Sequence, residues 1–365
     1  MNALVAGGGT GGHVFPALAV AAALTERGAT VAFVGAEDGP EATAVPAAGY
    51  PFTGVRVISA QTRLSLRTIR ALAMIVAAAW RVRRLVRGSD VVVSIGGFAS
   101  APATLAALVV RRPVVVIEPN AIPGVVNRVT ARWAAAAATA FASARDRLPG
   151  RVRVVRTGTP IRAAIASVPG DRPALRADAF ATFGMSPDRR TVLVTGGSQG
   201  ALSLDRAVAD ALRTLRDRDD LQLLVSTGPA HLAVVADAVE PAAALRVHGT
   251  PFIERMELAL AVADLAVSRA GGSVAELAAC GVPAILVPYP YATEGHQSAN
   301  ARELEDLGAA VRIEDRDLTA TSLTAAILGL MDDEDRRSAM ADAMRGWART
   351  DAADAIAALA TEVAR

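Results

Sequence analysis

Lysine is absent from this chain: all 38 basic residues are arginine. That removes Schiff-base chemistry, a lysine-bearing phosphate loop and the lysine of protein kinases. Cysteine is nearly absent too. The single Cys280 excludes an intramolecular disulfide framework and a multi-cysteine zinc site, and it suits a reducing compartment. No pair of the four histidines has metal-ligand spacing, so no metal is expected. Mean hydropathy is +0.34, yet Arg or Pro interrupts every apolar run before about 18 residues, so no spanning helix is expected. Met1 runs straight into a strand-like segment with no basic stretch or cleavage site, which leads us to expect a soluble cytoplasmic protein.

What is present is apolar mass. The 365 residues, 52% hydrophobic and 20% charged, suffice for two domains of ordinary size with large cores. Their charge is divided. Up to Thr157 there are 18 arginines against 7 acidic residues, +11; from Gly158 onward there are 20 against 29, −9. The basic half is expected to face something anionic, nucleic acid or an anionic membrane.

Short β-branched runs at 3–6, 30–35, 91–95, 113–117 and 153–156 alternate with helical stretches, the first of them starting near Pro16. The plan restarts at 191–195 and continues through 221–226, 265–268 and 284–288. Strands alternating with helices make parallel sheets covered on both faces. The segment Asp90-Val-Val-Val-Ser-Ile-Gly-Gly is echoed by Asp264-Leu-Ala-Val-Ser-Arg-Ala-Gly-Gly, each followed by a helix and a Pro-led strand. The expected organisation is an N-terminal Rossmann-like domain over 1–157, a second over 158–345, and a helical segment over 346–365 that packs back on the first.

Three strand–glycine–helix junctions carry the chemistry. Gly7-x-Gly9-x-x-Gly12 matches the dinucleotide fingerprint, with Glu37 where a ribose-binding acid would stand, but His13 at its mouth is a side chain that an NAD(P) site does not need. Gly196-Gly197-Ser198-Gln199-Gly200 repeats the arrangement. In Arg269-Ala-Gly271-Gly272-Ser273-Val274-Ala275-Glu276, the carboxylate is either an acid favoured by the helix dipole or an acceptor for both ribose hydroxyls. Glu118 and Asn120 follow a strand at the sheet edge where open α/β folds bind ligands, and His296, Gln297 and Asn300 stand at the matching place in the second half. Asp217-Arg-Asp219 and Asp315-Arg-Asp317 read as solvated surface. Residues 63–87 form an amphipathic helix. Its expected core stripe is Leu72, Ile75, Ala79, Val82 and Val86; Arg63, Arg67, Arg70, Arg81 and Arg84 share the other arc with Leu66, Met74 and Leu85, and Trp80 lies at its margin. That face suits an anionic headgroup layer, or is an ordinary solvated one. No nucleic-acid module is visible.

Together these residues resemble one family, the bacterial cell-wall glycosyltransferases that convert lipid I to lipid II (undecaprenyldiphospho-muramoylpentapeptide β-N-acetylglucosaminyltransferases). The resemblance begins at Gly8-Gly9-Thr10-Gly11-Gly12-His13-Val14-Phe15-Pro16. It continues through Gly96-Gly97-Phe98, Glu118-Pro-Asn120 to Asn127, and Gly158-Thr-Pro-Ile-Arg162, and resumes at 196–201, 251–256, 270–276 and 296–300. Ile117-Glu-Pro119 replaces the His-Glu-Gln of many members and Phe98 the Tyr of some, leaving Glu118 and Asn120 in place.

The resemblance implies a GT-B fold, two Rossmann-like doubly wound parallel-sheet domains facing across a cleft, and inverting transfer of N-acetylglucosamine from UDP-GlcNAc to the muramoyl 4-hydroxyl of a polyprenyl-diphosphate-linked acceptor. UDP-GlcNAc is then a co-substrate, and no cofactor or metal is implied. By motif position Ile253 meets uracil and Glu276, with its turn at Gly271–Ala275, the ribose; Ser198, Gln199, Gly200 and Arg162 face the diphosphate, with Thr10, Gly11 and Gly12 beside it; Gln297 meets the sugar; and Asn120 helps hold the donor. His13 or Glu118 is the base, or Glu118 orients the imidazole. Arg67, Arg70, Met74, Trp80, Arg81, Arg84 and Asn127 face the acceptor or the membrane, which places the protein peripherally on the cytoplasmic face beside other cell-wall synthesis proteins. A UDP-sugar 2-epimerase of the same fold, an NAD(P) oxidoreductase and a lipid-binding adaptor are the alternatives.

Overall fold

The computed structural model describes residues 1–9, 11–58, 66–197 and 200–364. They form two compact units, Met1–Arg162 with Arg349–Arg365, and Ala163–Ala348. The first unit runs past the expected cut after Thr157 because the chain stays tied to its sheet there. The Thr157 and Gly158 amides both donate to the Thr139 carbonyl, at 3.0 and 3.1 Å, and Gly158 lies against Arg349.

The first unit holds seven parallel strands: β1 (Asn2–Gly7), β2 (Thr30–Ala36), β3 (Phe52–Val55), β4 (Val91–Gly96), β5 (Val114–Glu118), β6 (Ala136–Thr139) and β7 (Arg153–Arg156), in the order β3-β2-β1-β4-β5-β6-β7. Every residue of β4, β5 and β6 is buried, as expected of strands covered on both faces. One face packs on the helices Gly11–Glu26 and Ala352–Val363, through Val20, Leu24, Ile356 and Ala360. The other packs on Leu66–Arg87 and Ala101–Val110, through Ala78, Val82, Ala103 and Ala107.

The second unit holds β8 (Arg190–Thr195), β9 (Leu221–Ser226), β10 (Arg246–Thr250), β11 (Ala263–Ser268), β12 (Ala284–Leu286) and β13 (Ala310–Arg312), in the order β10-β9-β8-β11-β12-β13, again all parallel. Its main core joins Val192, Val194 and Val225 of the sheet to Leu204, Val208, Leu323 and Ile327 of the helices Leu202–Leu215 and Ala320–Met331.

In each sheet the strand order reverses once, between β1 and β4 and between β8 and β11. Diverging connections leave a crevice at the carboxyl ends of such a strand pair, and open α/β sheets bind their ligands there. The three glycine junctions singled out from the sequence, after β1, β8 and β11, lie at these two places.

Candidate active site

At the first reversal, β1 ends at Gly7 opposite Gly96, the last residue of β4. The following helix starts at Gly11 rather than near Pro16, so Gly12 and His13 stand in its first turn, where amides lack partners within the helix. His13 is half-buried. Its ring lies beside Gly97, where an added Cβ would stand 3.8 Å from Cε1 and 3.9 Å from Nδ1. Arg162, half-buried, sets its guanidinium 5.2 Å from the centre of the Phe15 ring on the same helix. Thr10 lies outside the described residues.

Beneath this loop is a residue the sequence reading passed over. Glu41, 2% exposed, accepts the Gly9 amide on both carboxylate oxygens at 3.0 Å and the Ala36 amide at 2.8 Å. A Cβ on Gly8 or Gly39 would run into this carboxylate, and one on Gly35 into its Cγ. The amide that a dinucleotide's phosphate would need is therefore occupied by the protein's own anion. Glu37, the would-be ribose ligand, is spent on an ion pair with Arg56. Both observations argue against the NAD(P) alternative.

Glu118 closes β5 with 1% of its surface exposed. Its Oε1 accepts the Asn120 backbone and side-chain amides at 2.9 and 3.2 Å; Oε2 accepts Gly124 N–H at 3.0 Å and Asn127 Nδ2 at 2.8 Å. Burial pushes its carboxyl pKa up, opposed by these donors, Asn127 first. Asn127, grouped from the sequence with acceptor- and membrane-facing residues, is itself 3% exposed and donates also to the Ile117 carbonyl at 2.9 Å. It holds Glu118 from inside the fold and meets no surface.

At the second reversal, β8 runs into the glycine loop, of which Ser198 and Gln199 lie outside the described residues. Gly200 has φ +75°, and a side chain there would strike the Thr227 carbonyl at the end of β9. β11 leads into the turn before the helix Ser273–Ala279, which buries Val274 and Ala275 and leaves Glu276 half-buried in its first turn. Gly271 lies against Gln297, a Cβ there being 3.5 Å from Nε2, while Gln297 Oε1 accepts the Tyr289 amide at 2.9 Å. Buried Asn300 donates to the Ala270 carbonyl at 2.9 Å. Gly271, Gly272, Ser273, Glu276 and Gln297 are thus brought to one edge by the β11 and β12 connections. Ile253, 3% exposed, occupies the loop after β10.

The helix Leu66–Arg87 differs from expectation in one respect. Ile75, Ala79, Val82 and Val86 are buried, joined by Ala71 and Ala78, but Leu72 is 54% exposed. At 100° per residue Leu72 falls within about 80° of Val76 and Trp80, outside the arc that the small Ala71 and Ala78 press on the core. Ile69, Leu72, Val76 and Trp80 form an exposed apolar stripe, Trp80 at 67%. Arg67, Arg70, Arg81 and Arg84 are exposed, and Met74 is half-buried. The Arg83 guanidinium stacks 3.9 Å from the centre of the Trp80 ring. Among the described residues, no helix is long and apolar enough to cross a membrane.

Residues 3–139 match the glycosyltransferase family 28 N-terminal domain, and residues 191–358 the glycosyltransferase family 28 C-terminal domain. The chain belongs to glycosyltransferase family 28. The UDP-N-acetylglucosamine–N-acetylmuramyl-(pentapeptide) pyrophosphoryl-undecaprenol N-acetylglucosamine transferase of Methylococcus capsulatus is 40% identical to this family 28 chain over 364 residues, covering 99% of it and 98% of the relative. The crystal structure of Acinetobacter baumannii MurG is similar at a TM-score of 0.80 and 30% identity, with 99% of each chain covered. The UDP-GlcNAc 2-epimerase from Neisseria meningitidis, solved with UDP-GlcNAc, has a TM-score of 0.69 at 12% identity over 99% of this chain and all of that one, a likeness of fold alone. The fold class expected from the sequence, two parallel-sheet Rossmann-like domains of the GT-B type, is the one observed.

Proposed function

We propose that this chain is the inverting, metal-independent transferase that moves N-acetylglucosamine from UDP-GlcNAc to the muramoyl 4-hydroxyl of undecaprenyl-diphosphate-MurNAc-pentapeptide, turning lipid I into lipid II in peptidoglycan synthesis. The reading is carried by the full-length match, at 40% identity, to a transferase named for that reaction. Through that product it serves cell shape and division.

In this mechanism His13 is the general base. A neutral imidazole near pH 7 suits proton removal from a sugar hydroxyl, whereas every oxygen of Glu118 is already engaged. Glu118, with Asn120 and Asn127, orders the loop after β5, from which Asn120 helps hold the donor. The C-terminal unit binds UDP-GlcNAc: Ile253 to uracil, Glu276 with the turn at 271–275 to ribose, Gln297 to the sugar. Ser198, Gln199 and Gly200, which precede the helix Leu202–Leu215 in sequence, and Arg162 take up the charge of the departing diphosphate, aided by Thr10, Gly11 and Gly12. The exposed face of Leu66–Arg87 docks peripherally on the anionic cytoplasmic leaflet, where the acceptor's diphosphate lies and other cell-wall synthesis proteins gather.

The decisive experiment supplies purified protein with UDP-GlcNAc, with and without a polyprenyl-diphosphate muramoyl acceptor. UDP release that depends on that acceptor is expected. Interconversion at C2 of the UDP-sugar without it would move the chain to the epimerase reading.

A further inference from the structure

The geometry points to Glu41 as a positioning residue for His13, an internal anion that pins the end of the β1 loop at Gly9 from beneath. Its carboxylate is all but removed from solvent and accepts only backbone amides: Gly9 on both oxygens at 3.0 Å and Ala36 at 2.8 Å. No basic side chain pairs with it among the described residues. A buried carboxylate without a cation is costly unless oriented donors meet it, and the Gly9 and Ala36 amides are those donors. Three glycines are shaped around it. Gly8 belongs to the loop itself; Gly35 ends within β2, and Gly39 precedes the helix Glu41–Ala47. Space for a carboxylate has been cleared from three directions, although an apolar side chain would fill the same volume without a desolvation cost.

The chain of consequence is short. Gly8 and Gly9 have φ of +147° and +90°, so no intrinsic preference holds this backbone in place. The Gly8 carbonyl lies 3.1 Å from where a Cβ of Gly97 would be, and the His13 ring lies against that same glycine. Fixing Gly9 to Glu41 therefore fixes the end of β1 and, through Gly8 and Gly97, the wall against which the imidazole lies. Catalytic geometry tolerates displacements of only about 0.5 Å in such supporting groups. Glu41 does not touch a substrate in this assignment; it acts through the loop.

This inference rests on the glycosyltransferase reading, in which His13 is the base. Two variants test it. Glu41→Gln keeps the shape and replaces one acceptor oxygen with a donor that faces amides. Gly39→Ala leaves the carboxylate in the protein and pushes it off Gly9, because an added Cβ would meet both oxygens and their carbon, a shift that a flexible side chain makes cheaply. Acceptor-dependent turnover should fall roughly 10- to 100-fold in both, with the donor KM and the Kd for UDP within about twofold of the parent. Amide exchange at Gly9 and Ala36 should accelerate in both. Parental turnover in Glu41→Gln or Gly39→Ala would overturn the inference, as would a loss of UDP binding as large as the loss of turnover. Should Glu41→Gln not fold, Gly39→Ala decides by the same readouts. A parent protein with no acceptor-dependent transfer defeats the glycosyltransferase reading instead, and the exchange rates then still report whether Glu41 holds the loop.

Discussion

Arg269 Nη1 donates to Asp315 Oδ1 at 2.6 Å, the two side chains being 9% and 18% exposed. The sequence had read Asp315 as solvated surface. Ser203 Oγ bridges the pair, accepting from Arg269 Nη2 at 2.8 Å and donating to Asp315 at 2.7 Å, while Arg269 Nη1 also reaches the Val287 and Pro288 carbonyls at 3.1 and 3.2 Å. One guanidinium thereby ties the ends of β11 and β12 to the first turn of Leu202–Leu215, immediately before the 270–276 turn. Removing one partner of such a buried pair leaves the other uncompensated, at about 3–5 kcal/mol. Asp315→Ala should lose stability of that order in urea denaturation, and the double change with Arg269→Met should recover part of it. A loss below about 1 kcal/mol in Asp315→Ala would show the pair to be no more than a surface contact.

Glu276→Ala should raise the donor KM. A charge-assisted bond to a ribose hydroxyl is worth about 1.5–3 kcal/mol, or roughly 10- to 150-fold in affinity. Titration with UDP reads this directly. Equal UDP affinity in variant and parent removes Glu276 from the ribose.

His13→Ala should lower kcat by roughly 10²- to 10⁴-fold with UDP affinity unchanged if, as proposed, the imidazole serves the acceptor hydroxyl. Near-parental kcat in His13→Ala, with loss only in Glu118→Gln, would transfer the base role to the buried carboxylate and require the loop after β5 to open.

Asp205 is fully buried in the helix Leu202–Leu215, with Oδ2 at 3.1 Å from His231 Nδ1 and Arg269 close enough to act on its charge. Burial raises its pKa from 3.8 to about 6, the His231 hydrogen bond opposing the shift. The folded state therefore holds this proton more tightly than the unfolded chain. The stability it contributes is full below pH 3.8 and is lost as pH rises through about 6. Asp205→Asn should cancel that loss, so its stability relative to the parent should be higher at pH 7 than at pH 4. Parallel stability curves for variant and parent over that range would show that Asp205 titrates normally.

Much of this was legible from residues of strong local character. β7 and β9 were read to the residue, because β-branched and leucine runs bounded by polar residues leave little choice. β6 was not, since Ala136-Ala137-Ala138-Thr139 has helical composition; it is a strand because β5 and β7 pair with it on either side and its four residues are buried. The glycine junctions were visible as spacing. Glu41 and Arg269 were not visible as partners, because their meaning lies in Gly9 and Asp315, contacts of long sequence separation that no local pattern encodes.

The exposed face of Leu66–Arg87 carries two separable forces. Arg67, Arg70, Arg81 and Arg84 supply long-range attraction to anionic headgroups, on the order of 1 kcal/mol each at low salt, fading within a Debye length of about 10 Å at 0.1 M. Ile69, Leu72, Val76 and Trp80 supply a contact that salt does not screen, and Leu72 joins them although the sequence had assigned it to the core. Changing the four arginines together to Gln should reduce co-sedimentation with anionic vesicles at low salt to a weak remainder, and high salt should bring the parent down to that same remainder, which the apolar stripe alone supports. Changing Leu72, Val76 and Trp80 to Ser should leave weak, salt-sensitive attraction and remove the binding that persists at high salt. Both variants should turn over a short, water-soluble acceptor analogue like the parent, because neither set belongs to the residues assigned to donor binding or proton transfer. Parental vesicle binding by both variants would move the docking surface elsewhere and leave Leu66–Arg87 as a solvated helix with an unusually apolar stripe.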